Sequence, residues 1–179
     1  MNTVEILSYL KHICSHRNAA FDVLASDQLL NYKITKYPVC LIVNLDESSK
    51  PGSHWTAYYI ENGNSRTEFF CSYGVPVHMY PSAFAAFIRK RSKPFLQTNV
   101  TLQQTTSKVC GHYCIFYVYM RLLKYSSDEF YASFTTNCKK NDAYVGKTIC
   151  GLKTKFCISC TTLFNCKNQC CIEYNKHSN

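Results

Sequence analysis

Cys110 and His54 are the side chains whose types and placement could do chemistry in this chain. Cys110 stands in "SKVCGHYC" (Ser107–Cys114), where a long apolar run, Cys110–Lys124, begins. A thiol in the first turn of a helix, beside an imidazole, is a candidate nucleophile, because the helix N-terminus and a neighbouring cation both favour the thiolate. Gly111 next to it permits close approach of another backbone. His54, in "GSHWTAYY" (Gly52–Tyr59), follows a Pro-Gly loop and opens an apolar strand pattern. A ring at that point can be held rigidly against another element. Such a pair could carry out nucleophilic acyl transfer. Histidine and cysteine are also ordinary core residues, so the pair acquires meaning only from its surroundings.

The elements that would position these groups are legible in outline. Residues 4–17 read as a helix with Ile6, Leu7, Leu10 and Ile13 on one face. The apolar, β-branched run Tyr37–Leu45 reads as a buried strand, followed by the loop "DESSKPGS". His54–Ile60 is a second strand. "NGNS" (Asn62–Ser65) is a hairpin turn signal, and Thr67–Cys71 returns as its partner. Ser82–Arg91 reads as a helix with Ser82 as N-cap, and a short strand is expected within "LQTNVTLQQ" (Leu96–Gln104). Cys110–Lys124, apolar nearly all round, is a buried central helix, and Ser126–Phe134 a capped amphipathic one. The expected fold is α+β: the central helix packed against a mostly antiparallel sheet, with further helices around it.

Composition bounds the rest. At 179 residues and 46% hydrophobic, the chain has the size and apolar content of a single packed domain. No apolar run approaches the ~20 residues of a membrane span, and the N-terminal stripe carries Glu5 and lacks a small-residue cleavage site, so no signal peptide and no membrane partner are expected. An intracellular setting makes the twelve cysteines reduced thiols, catalytic groups or metal ligands rather than a disulfide framework. The net charge of +9 suits a polyanion such as DNA, with lysines and arginines densest in "IRKRSK" (Ile88–Lys93). Composition shifts near Val145, which divides the chain into a folded domain, 1–145, and a Lys- and Cys-rich tail, 146–179.

The words "GSHW", "EFFCSYG" (Glu68–Gly74) and "LQQTTSKVCGHYC" (Leu102–Cys114), in that order, resemble the adenovirus-type cysteine endopeptidases. The resemblance is strongest to the adenain-like proteases of Polinton/Maverick elements. It runs from about Asp27 to Asp142, and proteases that deconjugate ubiquitin-like modifiers share the same residue order. It implies a papain-like, adenain-like fold in which Cys110 is the nucleophile and His54 the general base. The oxyanion glutamine would be Gln103, as adenovirus-type spacing favours, or Gln104, as the SUMO-protease spacing favours. Trp55 and Gly111 would border the substrate. No cofactor is required by the chemistry, although some members are stimulated by a peptide and by DNA. Capsid or core precursor proteins would be the substrates, a monomer the working form, and the host nucleus or a virion the location.

In one position the chain departs from the family. Where the resemblance places the triad's acid, "FFCSYG" has Cys71. Three readings follow. The enzyme works as a Cys110–His54 dyad, weakened because nothing anionic orients the ring. Or the chain is a pseudoprotease that keeps the fold and binds peptide or DNA without cleaving. Or His54, Cys71 and Cys110, all zinc-ligand types, hold a regulatory zinc ion. A deconjugating protease for a ubiquitin-like modifier is a further alternative. His112 and Cys114 read as structural. In the tail, Cys157 and Cys160 form a Cys-x-x-Cys pair followed by Cys166, Cys170, Cys171 and His177; a zinc knuckle and a reduced basic tail are both open.

Overall fold

The computed structural model describes residues 1–91 and 93–157, with side chains through Leu152. Of the Cys-x-x-Cys tail only Cys157, at the end of the last helix, is among the described residues; Cys160, Cys166, Cys170, Cys171 and His177 lie outside them. Among the described residues are five α-helices and five strands, besides two single-turn 3-10 helices: α1 (Thr3–Ser15), β1 (Ala20–Leu24), β2 (Val39–Asn44), β3 (Trp55–Ile60), β4 (Thr67–Phe70), α2 (Ser82–Lys90), β5 (Phe95–Gln97), α3 (Cys110–Leu122), α4 (Ser127–Ala132) and α5 (Cys138–Cys157). The five strands form one sheet in the order β1-β2-β3-β4-β5.

Strand periodicity divides the core in two. Successive side chains of a strand point to opposite faces, so Trp55, Ala57 and Tyr59 of β3 join Cys40 and Ile42 of β2 on the face covered by α1 and α3. Tyr58 and Ile60 join Val39, Leu41 and Val43 on the face covered by α2. The helix α3 lies across β3, the middle strand. Its residues Tyr113, Cys114, Ile115 and Val118 are fully buried, as expected of a helix that is apolar nearly all round. Beneath it, Glu68 of β4 accepts hydrogen bonds from Tyr117 Oη at 2.8 Å and from Arg121 Nε at 2.7 Å, which pins helix to sheet.

The sheet is mixed rather than mostly antiparallel. The β2–β3 and β3–β4 pairs are antiparallel, but both edge strands, β1 on β2 and β5 on β4, pair in parallel. Only a hairpin announces its direction in sequence; an edge strand arriving from a distant segment does not. The helix α2 begins at Ser82, but its N-cap is Pro81, and Ser82 makes no capping bond. Between Leu96 and Gln104 only Leu96 and Gln97 are strand; the remainder is irregular. The helix α4 does carry the expected capping box, Ser126 with Glu129. The composition change near Val145 does not end the packed chain, because α5 runs through it and buries Val145, Ile149 and Leu152 at i, i+4 and i+7. Among the described residues no helix is long and apolar enough to cross a membrane.

Candidate active site

His54 ends the loop before β3, and Cys71 directly follows β4, the strand paired with β3. That pairing brings them together: Cys71 Sγ lies 3.5 Å from His54 Nε2. The sulfur also meets Tyr80 Oη at 2.9 Å and accepts the backbone N–H of Tyr73 at 3.3 Å. The imidazole is held flat between aromatics, stacked on Tyr73 at 4.8 Å and near-parallel to Tyr80 at 6.4 Å. With Nε2 engaged by Cys71, Nδ1 is the ring nitrogen left for a second partner.

Cys110 is the first residue of α3, 8% exposed. Its thiol is pushed up by burial, against which the backbone N–H groups of Trp55 and Gly111 favour the thiolate. His54 is pushed down to about 4, again by burial. Near neutral pH both groups are therefore uncharged. Cys110 opens onto a cleft of ≈ 660 Å³ whose walls include Gln28, Asn44, Trp55, Tyr73 and Lys108. Trp55 donates its indole N–H to Met1 O at 3.2 Å. Gly111 is crossed closely by the Met1 side chain: a Cβ there would stand 3.2 Å from Met1 Sδ. Gly111 thus packs α1 against α3.

The two glutamines are separated clearly. Gln103 is fully buried; its Oε1 accepts Ser72 Oγ–H at 2.7 Å, and its Nε2 donates toward Ser107 O (2.9 Å), Ser107 Oγ (3.1 Å) and Tyr73 Oη (3.1 Å). Tyr73 and Ser107 line the same cleft as Cys110, so the Gln103 amide lies directly behind its wall. The Gln104 side chain is at the surface, bonded to Thr106.

The segment Ser72–Gly74 and the glutamine segment form one unit. Ser72 O accepts the N–H groups of Leu102 and Gln103, at 2.9 and 3.1 Å, and Tyr73 O accepts Thr101 Oγ1–H at 3.0 Å. The approach is close enough to require glycine at position 74. Gly74 has φ +67°, and a Cβ there would stand 2.8 Å from the carbonyl carbon of Val100. From the other side, Asp142 of α5 accepts Gln104 N–H at 3.3 Å and Tyr113 Oη–H at 2.9 Å. Gly74→Ala is expected to cost on the order of 2 kcal/mol, read as a lower urea midpoint, and to weaken Gln103's placement.

Sequence reasoning missed Tyr80, Ser107 and Asp142 as parts of this site, and it had no use for the Ser72 hydroxyl. Ser72 and Tyr73 carried a signal, being inside the "FFCSYG" word; Tyr80 and Asp142 lie outside any motif. His112 sits on α3 beside the site, and its Nδ1 has no hydrogen-bond partner among the described groups. Burial pushes it down to about 4 as well. An unfolded imidazole takes its proton near pH 6.5 and these two only near 4, so falling pH favours the unfolded chain across that window. The stability from keeping each ring neutral is full above pH ~6.5 and lost by about 4, on the order of 3 kcal/mol per ring. The urea midpoint should fall steadily from pH 7 to 4.5, and less in His112→Leu.

Among the described residues no group of three His, Cys, Asp or Glu side chains is placed to hold a metal ion. Cys14, Cys40, Cys71, Cys110, Cys114 and Cys138 are thiols rather than half-cystines.

No protein-family model and no curated protein matches this sequence. Solved structures do. The crystal structure of the ASFV pS273R protease superposes with a TM-score of 0.59 at 18% identity, and its selenomethionine form with 0.58 at 17%. The chain shares the fold of that protease. Each alignment covers 79% of this chain but only 63% and 64% of the protease, so this chain spans less than two thirds of the length of those neighbours. The shared part is the α+β arrangement of the papain-like, adenain-like type.

Proposed function

We propose that the chain is a cysteine endopeptidase. The observation that carries this reading is the 3.5 Å contact of His54 Nε2 with Cys71, beside a cleft lined by Cys110 at the start of α3. In the proposed reaction the Cys110 sulfur attacks a peptide carbonyl while its proton passes to His54. The oxyanion is met by the Cys110 backbone N–H and by the Gln103 amide, which gives up one of its bonds to Ser107 or Tyr73 to do so. The C–N bond then breaks, with His54 returning the proton to the leaving amine. Water, deprotonated by the same ring, hydrolyses the thioester and restores the thiol. Trp55 borders the bound peptide.

Cys71 takes the acid's position as a hydrogen-bonding partner of the ring. The neutral resting state of both Cys110 and His54 suits a slow enzyme rather than a preformed ion pair. By its resemblance to the adenain-like proteases, the chain would process capsid or core precursors of a virus or of a Polinton-type element, as a monomer, in the nucleus or virion. The charge of +9 leaves room for stimulation by DNA, and an activating peptide is the other cofactor the resemblance suggests.

Incubation with a peptide library derived from a whole proteome, read by mass spectrometry, is the test. New termini that share a sequence preference and vanish in Cys110→Ala are expected. Identical termini in both proteins would leave a peptide-binding pseudoprotease.

A further inference from the structure

The sulfur of Cys71 has three polar neighbours and limited means of satisfying them. A thiol offers one S–H and two acceptor positions. The Tyr73 N–H, at 3.3 Å, can only donate, and takes one acceptor position. Two arrangements remain for Tyr80 Oη at 2.9 Å and His54 Nε2 at 3.5 Å. In the first, the S–H is donated to the Tyr80 oxygen and the sulfur accepts Nε2–H. In the second, Tyr80 donates to the sulfur and the S–H is donated to a bare Nε2. A neutral imidazole carries one proton, so the first leaves Nδ1 bare and basic, while the second places the proton on Nδ1 and removes the base. Burial holds His54 neutral at pH 7, which makes the tautomer, and not the charge, the property that the surroundings must fix.

We infer that Tyr80 is the positioning residue for the catalytic base: by accepting the Cys71 S–H, it keeps Nε2 of His54 protonated and Nδ1 open to Cys110. This rests on the protease reading above. Of the two contacts, 2.9 Å to Tyr80 and 3.5 Å to Nε2, the inference assigns the thiol hydrogen to the shorter. The phenol itself is fixed. Pro81 confines the Tyr80 backbone to its extended form, φ −93° and ψ 170°. The ring packs on Phe69 at 5.7 Å and Phe84 at 5.5 Å, and lies 10° from parallel to His54. Burial, with Cys71 beside it, keeps the hydroxyl un-ionised.

The arrangement has an unusual consequence. Tyr80→Phe leaves the Cys71 S–H with only Nε2 to bond, so it forces the unproductive tautomer; Cys71→Ala removes the conflict altogether. Loss of the hydroxyl should therefore harm the enzyme more than loss of the thiol it touches. In Cys71→Asp, an acceptor-only carboxylate stands at that position, and Tyr80→Phe should leave the tautomer alone.

The test is ¹⁵N NMR of histidine-labelled protein at pH 7, with His54 assigned by its absence in His54→Gln, alongside the rate of Cys110 alkylation by a peptide electrophile. Expected are an Nε2–H ring in the wild type, an Nδ1–H ring in Tyr80→Phe with alkylation at least tenfold slower and below Cys71→Ala, and Nε2–H restored in Tyr80→Phe/Cys71→Asp. A wild-type ring protonated on Nδ1 overturns the inference whether or not Tyr80→Phe folds, and so does an unchanged tautomer in folded Tyr80→Phe. An Nε2–H wild type that shifts in Tyr80→Phe, yet never reacts at Cys110, upholds the role of Tyr80 in setting the tautomer and refutes the protease reading.

Discussion

Gln103→Ala is expected to lower kcat by about 10²–10³ with little change in KM, the usual cost of removing one oxyanion donor. The amide that would meet the oxyanion is fully buried, fixed at its oxygen by Ser72 and at its nitrogen by Ser107 and Tyr73. Such a group is already oriented when charge develops, so its contribution is made in the transition state and not in ground-state binding. Gln104→Ala is the control. Its side chain is at the surface on Thr106, and kcat should stay within about twofold of wild type. The two variants also decide between the adenovirus-type and SUMO-protease spacings left open by the sequence. The alanine at position 103 strands the buried Ser72 hydroxyl, so rates must be compared at a temperature where circular dichroism shows both variants folded. A drop in KM-independent rate for Gln104→Ala instead would overturn the assignment.

Cys71→Asp is expected to raise kcat/KM by at least tenfold. Position 71 is already laid out for an acceptor: the Tyr73 N–H points at it, the Tyr80 hydroxyl is within reach, and His54 Nε2 lies on its third side. A carboxylate there would accept from all three and stabilise the imidazolium that forms when His54 takes the Cys110 proton. In a serine triad the acid is worth about 10⁴. A thiol nucleophile leans on it less, because its own thiolate balances the cation, hence the smaller figure. The pH profile gives a second readout. His54 is pushed down to about 4 by burial, and an adjacent carboxylate would raise it, so the acid limb of kcat/KM should move to higher pH in the variant. An unchanged rate with an unmoved limb would mean that position 71 no longer communicates with the base.

How much of this could be read from sequence depends on the kind of interaction. The strands β2, β3 and β4 were legible because their short runs of apolar, β-branched and aromatic residues and the Asn62–Ser65 turn are local signals. Strand β1 was not: "AFDVL" is short, carries Asp22 at its centre, and becomes a strand only by pairing in parallel with β2. The same holds for the direction of β5. The helix α5 looked like tail because its buried apolar face, among the described residues, is Val145, Ile149 and Leu152 in a lysine-rich stretch, and that face has value only once α3 is there to receive it.

The site shows the same division. His54, Cys71, Gln103 and Cys110 stood in recognisable words, yet the sequence could not say that Cys71 touches the ring or which glutamine is buried. Those facts come from the β3–β4 register and from the docking of Ser72 on Leu102 and Gln103. Tyr80, nine residues past Cys71 in an irregular segment, is brought to the sulfur by tertiary packing alone.

The most direct test of a catalytic Cys110 is to map the site of a peptide-based electrophile by mass spectrometry on the intact chain, wild type beside His54→Ala. One adduct is expected, on Cys110, formed at least a hundredfold more slowly without His54. Labelling that spreads over several cysteines at a rate indifferent to His54 would contradict it.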